Sequence, residues 1–213
     1  MDTDNPVVDK KDEKQKSFLH RAWNSIPELI RFILLALIIV IPVRMYVAQP
    51  FIVNGESMDP TFKDRDYLIV DELTYRFEAP KRGDVVILKY EYGYEKVKPY
   101  FIKRIIGLPG ETVTIDGNAV IIKNKAHPEG FTLNEPYIVE KNFPDQKLSL
   151  TLGDKEFFVM GDNRPHSKDA RIWSKDGTAE ALQEKDILGR PLLRLFPFSE
   201  ATLFPGEFHD YKN

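Results

Sequence analysis

The residues best suited to covalent chemistry lie in Asn54-Gly55-Glu56-Ser57-Met58-Asp59-Pro60-Thr61. Gly55 lets backbone approach a bound molecule closely and Pro60 fixes the chain direction, so the Ser57 hydroxyl between them is set as a nucleophile would be. Ordinary turns use the same residue types, and a nucleophile also needs a base. Lys103 is the candidate. If Tyr100-Phe101-Ile102-Lys103-Arg104-Ile105-Ile106 is extended, Phe101, Lys103 and Ile105 share one face, and Ile102, Arg104 and Ile106 the other. A lysine among apolar neighbours has a depressed pKa, as a general base requires, whereas Arg104 keeps its proton at any relevant pH. The competing role is a solvated lysine that keeps a sheet edge from aggregating.

A third polar cluster, Gly161-Asp162-Asn163-Arg164-Pro165-His166-Ser167-Lys168-Asp169-Ala170-Arg171, follows an apolar run ending at Met160. Such a loop either solvates a connection or supplies the donors and acceptors that orient a catalytic lysine. A Ser-His-Asp arrangement would have to use His166 or His127, and neither has a distinctive context. No histidine pair has metal-binding spacing, and with cysteine absent there is no disulfide, thiolate metal site or thiol nucleophile. No metal site and no cofactor are expected.

Short β-branched or aromatic runs must hold these groups in place. They fall at 67–70, 84–88, 100–106, 112–115, 119–122, 156–160 and 192–196, separated by turn sequences such as Leu108-Pro109-Gly110-Glu111 and Asp116-Gly117-Asn118. Strands at this spacing predict a mainly β fold of barrel or sandwich type. Residues 118–150 read as an irregular, polar excursion or inserted subdomain, dividing the β domain into 49–117 and 151–213. The remaining length is polar and mixed in charge over 1–26, a tail, and then apolar over 27–48. A helix there would approach the roughly 20 residues that cross a hydrocarbon core, with Arg31 and Arg44 near its ends.

That segment reads as a transmembrane anchor, against a buried core helix or a cleavable signal peptide, the latter weakened because no small-x-small site follows. Lys14, Lys16 and Arg21 precede it, so the positive-inside rule sets the N-terminus in the cytoplasm and the β domain outside, in a single-pass cell-membrane protein. The lipid bilayer is thus an expected partner. The net charge of -3 gives no general attraction to nucleic acid, which is not expected as a partner.

Taken together, Gly55 to Thr61 after an apolar segment, Arg82-Gly83-Asp84-Val85-Val86, Phe101 to Glu111, Gly161 to Arg164 with Ser167, Asp169 and Arg171, then Gly189-Arg190 and Phe196-Pro197, resemble the type I signal peptidases. These are membrane-anchored serine proteases that remove signal peptides from exported preproteins. The resemblance implies a Ser57 nucleophile with Lys103 as general base, Ser167 orienting the lysine, and Asp169 as the loop carboxylate. It also implies a supporting Arg104–Asp162 ion pair and an oxyanion donor in the Ser57 backbone N–H; Gly55 has no hydroxyl to give a second. Phe51, Val53 and Ile102 would bind an extended, signal-peptide-bearing preprotein. Two other readings share these motifs: a Ser-Lys protease dedicated to one exported substrate, and a catalytically silent, membrane-anchored β binding domain.

Overall fold

The computed structural model describes residues 27–46, 48–91, 99–139, 147–174 and 176–208. The chain forms two compact units that divide between Met45 and Tyr46. In the first, helix α1 (Glu28–Tyr46) begins just after Pro27, whose carbonyl accepts the Arg31 N–H at 3.1 Å, and carries Glu28 in its first turn. The sequence placed an anchor over 27–48; the helix stops at Tyr46 because the chain from Ala48 is taken into a sheet. Among the described residues no helix is long and apolar enough to cross a membrane.

Among the described residues from Ala48 on, the regular structure is β apart from short 3-10 turns. Its main sheet contains β1 (Ala48–Ile52), β2 (Tyr67–Asp71), β3 (Val85–Lys89), β4 (Tyr100–Gly107), β9 (Glu156–Met160), β10 (Leu182–Gln183), β11 (Ile187–Phe196) and β12 (Thr202–Leu203). Their order is β1-β2-β11-β3-β4-β9-β10, with β12 on β11. A smaller antiparallel sheet, ordered β7-β6-β5-β8, is built from β5 (Thr112–Asp116), β6 (Ala119–Lys123), β7 (Phe131–Thr132) and β8 (Lys147–Thr151). Gly117, at φ +58°, and Asn118 make the two-residue hairpin joining β5 to β6. Regular pairing therefore extends into the stretch from 118 to 150 that the sequence presents as irregular.

Two apolar clusters hold the unit together. Val86, Leu88, Ile105, Val159 and Trp173 of the larger meet Val113, Ile115, Val120 and Ile122 from the small sheet. The smaller contains Val53, Met58, Phe62, Leu68, Ile87 and Ile102. Met58 and Phe62 are fully buried, so side chains on the C-terminal side of Ser57 pin its loop to the sheet. Burying residues of this size contributes on the order of 1.5–3 kcal/mol each.

β11 is twice as long as the run at 192–196 suggests, since Gly189 and Pro191 disguise its first half. Both are accommodated beside β2 and β3, where pairing shifts at bulges between Ile187 and Gly189 and between Pro191 and Leu193. A methyl at Gly189 would overlap the Asp71 carbonyl. Gly189→Ala is therefore expected to destabilise the chain by about 1–3 kcal/mol, read as a lower urea midpoint; an unchanged midpoint would show that β2 and β11 can part without cost.

Candidate active site

Two strand edges frame a cleft. Among the described residues β1 pairs only with β2, and residues 100–103 of β4 pair with β3 on one side, β9 joining the other side from Arg104 onward. Phe51, Ile52, Val53 and Asn54 line one side of a cleft of about 180 Å³; Tyr100, Phe101, Ile102 and Lys103 line the other, with Leu68 and Ile87 beneath. The Phe51 and Tyr100 rings meet edge to face at 5.2 Å. Ser57 opens into the same cleft. The three substrate-contact residues expected from the sequence thus lie beside the two expected to do chemistry.

Lys103 is 2% exposed. Its Nζ lies 2.7 Å from Ser57 Oγ and 2.8 Å from the Ile102 carbonyl. Burial pushes its pKa down from 10.5 to about 8, the nearby Asp169 and Asp162 carboxylates pull upward, and Arg171 adds a smaller downward push. Desolvation wins because each of those carboxylates is already held by an arginine. The 2.7 Å contact is one an ammonium makes as a donor; with the amine neutral, the Ser57 hydroxyl can donate to it instead.

The loop after β9 closes over this pair. Asp162 accepts Arg104 Nε at 2.8 Å and Nη2 at 2.6 Å, and its Oδ2 also accepts the Thr61 hydroxyl at 2.5 Å, tying the loop to the stretch after Ser57. Arg104 in turn donates to the carbonyls of Gly83 and Gly206. Asp169, fully buried, accepts Arg171 Nε at 2.7 Å and Nη2 at 2.9 Å and the Gly161 N–H at 3.0 Å. Burial pushes its carboxyl up, but the Arg171 guanidinium and the Gly161 amide prevail and hold it below the usual range. The Asn163 N–H donates to the Ser57 carbonyl at 3.0 Å, and Asn163 Nδ2 to that of Glu56 at 3.0 Å.

Gly161 is where this loop touches the nucleophile. Any side chain there would overlap both the Ser57 carbonyl and the Ser167 hydroxyl. Ser167 is buried beside Gly161 and helps to lower the pKa of the Asp169 carboxyl, but it makes no hydrogen bond to Lys103, whose amine meets Ser57 Oγ and the Ile102 carbonyl. His166 is exposed, its Nδ1 3.1 Å from Asn163 Oδ1, and His127 packs edge to face on Phe131 of the small sheet. Sequence reasoning missed Thr61, whose hydroxyl bonds Asp162, and Glu135 and Tyr137, which meet Arg164 and Arg104 around the loop. Thr61 stood inside the quoted motif, but nothing in a polar stretch marks the other two.

The sequence pattern described as "Signal peptidase, peptidase S26" matches residues 26–196. "Probable signal peptidase I-1" of Synechocystis sp. is 34% identical over 191 residues, covering 87% of this chain and 90% of that protein. "Signal peptidase I P" of Bacillus subtilis subsp. natto is 37% identical over 187 residues, covering 83% and 92%. A crystal structure of a signal peptidase I from Enterococcus faecalis V583 aligns with a TM-score of 0.39 at 26% identity, over 53% of this chain and 97% of that one.

The buried amine has a consequence for stability. Between pH 8 and 10.5 the folded chain has released a proton on Lys103 that the unfolded chain still binds, so this group's contribution to stability rises with pH across that window. Relative to Lys103→Met, the unaltered chain should gain stability from pH 7.5 to pH 10 in urea titrations. A difference constant with pH would mean the lysine is not desolvated.

Proposed function

Since the chain belongs to the signal peptidase family, peptidase S26, we propose that it is the serine endopeptidase that removes N-terminal signal peptides from exported preproteins, with Ser57 as nucleophile and Lys103 as general base. The observation that carries the residue assignment is the 2.7 Å approach of a buried lysine amine to a serine hydroxyl at the edge of a cleft. Neutral Lys103 accepts the Ser57 proton as Oγ attacks the scissile carbonyl. The lysine then gives that proton to the leaving amine, and a water activated by the same amine hydrolyses the acyl-enzyme. The Ser57 N–H supplies the oxyanion donor; Gly55, at φ +91° with its own N–H on Asp64 at 2.8 Å, shapes the loop but offers no hydroxyl.

An extended substrate pairs in this reading with the free edges of β1 and of β4 at 100–103, its alternate side chains entering the cleft against Phe51, Val53 and Ile102. A cleft of about 180 Å³ accepts small side chains, such as those preceding a signal-peptide cleavage site. Asp169 acts on the lysine through its charge, Ser167 supports it indirectly by packing against Gly161 beside the nucleophile, and the Arg104–Asp162 pair supports the loop. The reading also includes a membrane address: the apolar run in α1 contacts the bilayer, with the N-terminal segment bearing Lys14, Lys16 and Arg21 on the cytoplasmic side and the catalytic residues outside, so enzyme and preprotein share one layer.

The test is cleavage of a preprotein bearing an Ala-x-Ala site by the full chain in detergent. Cutting after the second alanine, reduced at least about 10³-fold in Ser57→Ala and in Lys103→Ala, is the expected outcome. The rate should climb as pH rises toward 8 and level off above it, since the base works only once deprotonated. Full activity in Lys103→Ala, or a profile flat from pH 6 to 10, would overturn the dyad.

A further inference from the structure

Resting on the peptidase reading, we propose that Glu135 and Tyr137 form a clasp that positions the catalytic loop, and that delivering this clasp is a task of the chain leaving the small sheet. A few residues beyond β7, Glu135 is nearly buried and receives both terminal nitrogens of Arg164, Nη1 at 3.0 Å to Oε2 and Nη2 to Oε1. The Tyr137 hydroxyl donates to Glu135 Oε1 at 2.9 Å, and its ring centroid lies 4.0 Å from the Arg104 guanidinium carbon. One short segment therefore grips two arginines.

Those arginines hold the loop at adjacent residues. Arg104 binds Asp162 through both carboxylate oxygens, and Arg164 Nε donates to the Gly161 carbonyl at 3.0 Å. Gly161 has no room for a side chain, which would overlap the Ser57 carbonyl and the Ser167 hydroxyl, and two residues later the Asn163 N–H binds that same Ser57 carbonyl. Arg164 also accepts, through its own carbonyl, Arg171 Nη2 at 2.7 Å, and Arg171 is the partner of Asp169. A shift of Arg164 is thus passed on to the peptide carrying the nucleophile and to both carboxylates that act on Lys103. Arg164 is a buried cation, and Glu135 is the carboxylate paired with it.

Glu135 and Tyr137 reach the reaction only through other residues, so they are positioning residues. Misplacement of reacting groups by about 1 Å can cost on the order of 10²-fold in rate. Glu135→Gln, which keeps the shape and removes the charge, should lower kcat for preprotein cleavage by about 10- to 100-fold with KM within about two-fold of the unaltered chain. The effect should disappear when the change is made in an Arg164→Gln background, because the clasp acts through that arginine. Should Glu135→Gln not fold, Tyr137→Phe carries the test: it removes one hydroxyl and keeps the ring over Arg104, for an expected loss of about five-fold in kcat. Unchanged kcat per folded molecule in these variants, or an undiminished effect of Glu135→Gln without Arg164, would overturn the clasp while leaving the peptidase reading intact. Absence of cleavage by the unaltered chain would overturn both.

Discussion

The chemistry proposed for the β unit depends on keeping one lysine amine out of water. A solvated Lys103 would be a spectator cation at neutral pH, and at 2% exposure it is close to deprotonation. The cost is borne by the fold. Phe101 and Ile105 flank it on its own strand face, and the Ser57 loop is pressed against the sheet by Met58 and Phe62, so that the amine finds a hydroxyl where it would have found solvent.

Buried carboxylates could undo this by stabilising the protonated amine, and two lie close enough to act on it. The architecture answers by pairing each with a guanidinium: Asp162 with Arg104, and Asp169 with Arg171. Such buried pairs are poor sources of net stability but costly to break singly, which suits them to fixing geometry. Here they fix the loop from Gly161 to Arg171 at the point where it meets the Ser57 carbonyl, and the Glu135–Arg164 pair ties that loop to chain emerging from the small sheet.

How much of this was legible in the sequence follows from the range of each interaction. Lys103 and Ile102 could be placed on opposite strand faces from alternation alone, and the strands around them were bounded to within a residue or two. Ser57 could be singled out because Gly55 and Pro60 mark its loop, although pairing it with Lys103 needed the family resemblance, which the match over residues 26–196 bears out. The first half of β11 was hidden by Gly189 and Pro191, whose tolerance depends on bulges against strands far away in sequence. Glu135 and Tyr137 were hidden for a related reason: a glutamate and a tyrosine in a polar stretch carry no periodicity, and only the fold brings them to arginines about 30 residues away on either side. Ser167 is a different case: the resemblance implies that it orients the lysine, and in the structure the direct partners of Lys103 Nζ are Ser57 Oγ and the Ile102 carbonyl, with Ser167 beside Asp169.

The most direct measurement of the central claim is the ionisation of Lys103 itself, followed by NMR on the full chain with isotope-labelled lysine side chains and assigned by comparison with Lys103→Met. One lysine resonance titrating near pH 8, absent from the variant, is what a desolvated amine beside Ser57 predicts. If every lysine instead titrates near its ordinary 10.5, Lys103 remains a protonated surface-like cation at neutral pH and cannot serve as the base.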